Sequence, residues 1–163
     1  MSKRVFTQTF CVAGAILEHD GRILLVKEAT EKITDKGKWY HPASWIMNDE
    51  DPIAAAVRTV KRETGYDFKP ENLLGVYSLV RRDQEAKIGV PPHALKLIFT
   101  GSILDENPSA INPDISDNRW FTPEEIRAMD TSVLRGIDVK DMVNDYFSGK
   151  GTSLAIVTHT VQC

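Results

Sequence analysis

The spacing of apolar positions changes several times along this chain, and each change marks an element. Residues 10–17 form a nearly continuous apolar run of small and β-branched side chains, which predicts a strand. Glu18-His19-Asp20-Gly21 is a turn signal, and its Asp-Gly pair favours a tight hairpin. Residues 22–27 then read as the returning strand, and residues 29–38 as a polar loop. Trp39-Tyr40-His41-Pro42 predicts a short extended piece, because a residue before proline avoids the helical region.

Beyond Asp51 the period becomes helical. Ile53, Ala56, Val57, Val60 and Thr64 fall on one face and predict a buried stripe. Asp51 suits the N-cap, Pro52 the first helical position, and Gly65 a left-handed stop. Residues 73–80 and 94–103 read as strands joined by a charged loop over 81–92. A short strand at 118–121 leads into Thr122-Pro123-Glu124-Glu125, a capping box that opens a second helix. A third helix is predicted over 138–147, and the tail 152–163 leans towards β. No internal repeat, low-complexity stretch or linker interrupts this order, which predicts an α+β domain.

Composition narrows the class. A chain of 163 residues is expected to form one domain, spanning 1–163, with a real core. Its 42% apolar and 26% charged residues are those of a soluble globule. A net charge of −3 argues against nonspecific binding to nucleic acid or anionic membranes, so neither is expected as a partner. No apolar run approaches the roughly 20 residues of a membrane span. No apolar segment follows Lys3-Arg4, so no signal peptide is expected. Two cysteines, Cys11 and Cys163, make no disulfide framework, and a cytoplasmic location is the expectation.

The segment from Gly37 to Tyr66 carries the most specific pattern. It resembles the box of the Nudix (MutT-like) hydrolases: Gly, five residues, Glu, seven residues, then Arg-Glu-apolar-any-Glu-Glu-any-Gly-apolar. Registered on Gly65, residues 44–66 keep Glu50, Arg58, Val60, Glu63, Gly65 and Tyr66. They depart at Ser44 (family Gly), Thr59 (family Glu) and Arg62 (family Glu). Trp39 with Pro42 matches the family's lead-in, and Arg119-Trp120-Phe121 with Pro123-Glu124-Glu125 a common family ending. The resemblance covers most of the chain and implies a Nudix-type α/β/α sandwich with a mixed β-sheet. It also implies a nucleotide-like small-molecule ligand and Mg or Mn as cofactor. Many members are homodimers, though no surface of this sequence is marked for that.

On a helix, residues three and four apart share a face, so Thr59, Arg62 and Glu63 are expected to form one patch opposite the apolar stripe. In the family that patch carries carboxylates that hold divalent cations through oxygen. Here Glu63 is the remaining metal-ligand position, and Arg62 cannot be a ligand because it stays protonated. Metal-dependent pyrophosphohydrolysis is therefore expected to be impaired or lost. Glu50 is either the first box glutamate or a solvated residue before the cap. Arg58 is expected to pair Glu63 or to face water. Ser44 either replaces glycine as a small residue or offers a hydroxyl to the pocket.

Two other readings use other residues. A pocket stripped of metal ligands, by natural descent or by engineering, could hydrolyse esters without metal. Cys11 or Ser44 would be the nucleophile and His41 or His93 the base. The plainer roles are structural or loop histidines and a buried, inert Cys11 thiol. Alternatively, Arg62 near Arg58 could hold a phosphate directly, as a metal-independent binding module. Trp39, Tyr40, Trp45 and Tyr77 are either base-stacking or core aromatics. Asp114 and Asp117 stand where the family sometimes supplies a further carboxylate.

Overall fold

The structure is a computed structural model that describes residues 8–29, 35–105 and 108–163. The expectation of no signal peptide concerns residues outside that set, as does half of the polar loop over 29–38. The elements are β1 (Phe10–Ala15), β2 (Glu18–His19), β3 (Arg22–Glu28), β4 (Trp39–Tyr40), β5 (Ala43–Trp45), α1 (Pro52–Thr64), β6 (Phe68–Val80), α2 (Glu85–Ile88), β7 (His93–Ile103), β8 (Ile115–Phe121), α3 (Pro123–Ala128), α4 (Val139–Phe147) and β9 (Thr152–Ser153).

One sheet runs β5-β1-β7-β6-β9, with β1 and β7 parallel and the other pairs antiparallel, so it is mixed. The second gathers β2, β4 and β8 around β3, all antiparallel. On one side, Ala13, Ala15, Leu24 and Phe99 of the sheets pack on Ala55, Ala56 and Val60 of α1. On the other, Ile16, Leu25, Ile98 and Phe121 pack on Ile126 of α3 and Met142 and Val143 of α4. That is the expected α/β/α sandwich.

The caps of α1 are those expected. Asp51 Oδ1 accepts from the amide of Ile53 at 2.6 Å, and Pro52 occupies the first turn. Gly65 closes the helix at φ 79°, where a Cβ would be strained and would overlap the carbonyl oxygen of Ser109. The stripe is wider than predicted. Thr59 and Glu63, placed by sequence on an open face, are buried together with Ala55, Ala56, Val60 and Thr64. The reason is β5, a strand not foreseen, which walls α1 on a second side.

The predicted hairpin is also different. The turn at Asp20 (φ 49°) and Gly21 (φ 74°) joins β3 to the two-residue β2, not to β1. β1 leaves for the other sheet, where its partners are β5 and β7. Strand β6 begins five residues earlier than expected, absorbing Pro70 through a bulge between Pro70 and Asn72. The charged loop holds a short 3-10 turn and α2. No helix among the described residues is long and apolar enough to cross a membrane.

Candidate functional site

The box residues meet where the loop after β5 runs back against α1. Arg58 does not pair Glu63, nor does it face water. Its Nε and Nη2 donate to the two Glu50 carboxylate oxygens at 2.5 and 2.9 Å, and Nη2 also donates to the Trp45 carbonyl at 3.0 Å. Glu50 further accepts from the Met47 amide at 2.9 Å, so it is a bonded residue and not a solvated one. The Arg58 hydrogen bond holds the Glu50 carboxyl below its ordinary range. This unit fixes the turn through Asp49, a non-glycine residue at φ 63°.

The inner positions are arranged differently. Ser44 and Thr59 share a hydroxyl–hydroxyl hydrogen bond of 2.8 Å, and Arg58 Nη1 reaches Ser44 Oγ at 3.4 Å. Glu63 accepts from the Ala43 amide at 3.1 Å and from Arg62 Nη2 at 3.3 Å. Burial pushes the Glu63 carboxyl up to about 7, against the opposing pull of Arg62. Among the described residues no group of three or more His, Cys, Asp or Glu side chains is placed to hold an ion. Two hydroxyls bonded to each other and one carboxylate bonded to a guanidinium are a poor donor set for Mg or Mn, which take several free oxygen ligands.

Tyr40 lies beside this patch, buried with Val26 and Ile115. Burial above all, and the Glu63 charge next, push its phenol well up, while Arg135 and Arg62 pull the other way. The Arg135 guanidinium sits 4.8 Å from the Tyr40 ring centre, and Arg135 Nη1 lies 3.4 Å from a Glu28 oxygen. Neither Glu28 nor Arg135 stood out in the sequence, where Glu28 falls between the predicted strand and the polar loop and Arg135 in an unpatterned stretch.

The remaining candidates are dispersed. His41 is buried, and its Nε2 has no hydrogen-bond partner among the described residues. Burial, then the charges of Lys96 and Arg135, hold its pKa well below the ordinary value, so it is a neutral imidazole and a poor proton acceptor. His93 bonds Ser78 Oγ at 2.8 Å and Thr9 Oγ1 at 3.0 Å on an exposed part of the first sheet. Ser44 is bonded to Thr59 and Arg58, not to either histidine. Cys11 is exposed, contrary to the buried thiol expected, because it lies at the open start of β1, ahead of the continuously buried stretch 12–15. Cys163 is also free.

The aromatic candidates are largely spent on packing. Trp39 meets Phe121 edge-on at 4.9 Å, and Trp45 stacks on Phe10 at 4.4 Å. The Tyr77 hydroxyl donates to Asp145 at 2.7 Å, tying β6 to α4. Asp114 and Asp117 are exposed.

Comparison with known proteins agrees with this architecture. The phosphatase NudJ of Escherichia coli K12 is 26% identical over 145 residues, covering 88% of this chain and 87% of that protein. A NUDIX hydrolase from Nitrosomonas europaea superposes with a TM-score of 0.80 at 30% identity, covering 94% of this chain and 98% of the other. The NUDIX domain of Shewanella oneidensis NrtR, solved with ADP ribose, shares the fold at 16% identity and a TM-score of 0.64, covering 88% and 90%. The NUDIX domain family profile matches residues 7–138, most of the length, and the chain belongs to that family.

Proposed function

We propose that this chain is a Nudix-fold protein related to nucleoside-diphosphate hydrolases in which metal-dependent pyrophosphohydrolase activity is impaired or lost. The observation that carries the reading is the Ser44–Thr59 hydrogen bond, which occupies the patch with two hydroxyls where the family places a carboxylate. Arg62 adds to it. A divalent ion about 5 Å from a guanidinium meets a repulsion of several kcal/mol at an effective dielectric near 20, lessened by water around this half-exposed side chain. The ligand class that fits the fold is nucleotide-like, as in the NrtR complex with ADP ribose. Turnover of ADP-ribose, dinucleoside polyphosphates and nucleoside triphosphates with Mg or Mn tests the reading, and rates of a working enzyme would overturn it.

A second reading, metal-independent phosphate binding, is favoured by the exposure of the Arg62 side chain (45%) and by its bonding, among the described residues, to Glu63 alone. Arg58 is not available for that role, since Glu50 and Trp45 occupy its donors. Calorimetry of ADP-ribose binding in excess chelator decides it. Heat that vanishes in Arg62→Gln supports the reading, and no heat in the parent chain rejects it. A metal-free ester hydrolase built on Cys11 or Ser44 with His41 or His93 has no matching hydrogen bond among the described residues. The serine–histidine bond among the described residues joins Ser78 to His93, with a hydroxyl in the orienting position instead of a carboxylate.

A further inference from the structure

A further charge cluster involves none of the box residues. It lies where the loop over 131–137 crosses the end of β6, around a cavity of about 270 Å³. Three of its lining residues, Lys38, Arg81 and Arg135, are cationic, and Leu79, Val80 and Ile137 give it an apolar wall. Their charges converge on one buried carboxylate. Asp35 is 3.1 Å from Arg81 Nη2, 3.6 Å from Arg135 Nε and 3.7 Å from Lys38 Nζ.

The cations differ in what they have left to offer. Arg81 is spent: it bonds both oxygens of Asp35, both oxygens of Asp83, and the Arg135 carbonyl. Asp83, the acidic residue of the lining, is thereby occupied too. Lys38 donates to the Thr131 carbonyl at 2.7 Å and keeps further protons. Arg135 touches Glu28 and Asp35 through Nη1 and Nε, and its Nη2 makes no hydrogen bond among the described residues.

Arg135 is also held in place. Its amide donates to the Trp39 carbonyl, and the Trp39 amide to Val133, so the loop is laced to β4. Gly136 fits over the buried Lys96–Asp138 pair (2.8 Å), where a Cβ would come within 2.6 Å of an Asp138 oxygen. Donors fixed before binding lose little freedom when a ligand arrives. An anion here must compete with Asp35 and Glu28 for the two open cations, which favours a dianion over a carboxylate. Val80 and Ile137, each more than 40% exposed beside those cations, suit an apolar substituent on that dianion.

We propose that this cavity is a metal-independent site for the phosphate group of a small phosphomonoester, with Lys38 and Arg135 as donors and Leu79, Val80 and Ile137 as the apolar wall. It adjoins the box through Arg135, which lies over the Tyr40 ring, but none of its proposed donors or apolar wall residues is a box residue.

The test is an amide-resolved NMR titration of the full chain in excess chelator, with phenyl phosphate and inorganic phosphate as probes. Saturable shifts are expected at Thr131, Arg135 and Gly136, with phenyl phosphate the tighter probe. Arg135→Gln and Lys38→Gln should each weaken binding about tenfold or more, the size of a lost charge-assisted bond. Arg62→Gln should leave it unchanged. If Arg135→Gln does not fold, Lys38→Gln decides alone. Shifts confined to α1, no saturation by about 10 mM of either probe, or unchanged binding in Lys38→Gln would overturn the site. Equal affinity for the two probes would overturn the apolar wall and leave free phosphate as the ligand.

Discussion

Arg58–Glu50 and Arg62–Glu63 are two arginine–glutamate pairs on one loop–helix unit, and they hold different things. The first is bidentate, with a further bond to the Trp45 carbonyl, and it ties the loop after β5 to α1. The second joins sequence neighbours through a single 3.3 Å contact, with a half-exposed guanidinium over a buried carboxylate. The first keeps the family's residues at both ends, and the second keeps only the glutamate. Positions that shape the unit and positions that face its chemistry interleave along α1, so one set can change while the other stays.

The largest effect should come from the frame. Gly65→Val places a branched side chain at positive φ and against Ser109, and is expected to cost more than about 3 kcal/mol, measured by urea unfolding.

Next is the chemistry-facing carboxylate. The folded-state pKa of Glu63 is raised from 4.5 to about 7, so the native chain holds that proton more tightly than the unfolded chain. The stability this contributes is full below about pH 4.5 and is lost as pH rises through about 7. Glu63→Gln removes that loss. Relative to the parent, it should gain up to about 3 kcal/mol between pH 4.5 and pH 8, at about 1.4 kcal/mol per pKa unit. Thermal melts across pH read the gap directly. A gap that narrows as pH rises would contradict the buried, protonated carboxyl.

The two arginines then separate. Arg58→Ala should cost about 2 kcal/mol, since it strands Glu50 and the Trp45 carbonyl. Arg62→Ala at pH 6, where Glu63 is mostly protonated, should cost less than about 1 kcal/mol. Equal costs in urea titrations would erase the distinction between the pairs.

Much of the fold was legible because its signals are local. Asp51, Pro52 and Gly65 act on their own helix ends, and Thr122 with Glu125 forms the predicted capping box. Pairing between distant strands was not legible. The Asp20-Gly21 turn is real, but nothing nearby in sequence says that β1 will leave its neighbour for β7. The burial of Thr59 and Glu63 was hidden for the same reason, since it depends on β5 folding against α1. At the site, the departures at Ser44, Thr59 and Arg62 were visible by register with the family pattern. The cluster of Asp35, Arg81 and Arg135 was not, because its members come from three loops far apart in the chain.

The central claim is that the side chains at 59 and 62, and not the fold, limit metal-dependent hydrolysis. The direct measurement is Mn-dependent turnover of ADP-ribose by the parent chain and by a Thr59→Glu/Arg62→Glu variant, with Mn binding measured on both. The account predicts that the double variant gains at least about a hundredfold in Mn affinity and in turnover over a nearly inactive parent. A parent that already turns over as fast as the variant would contradict it.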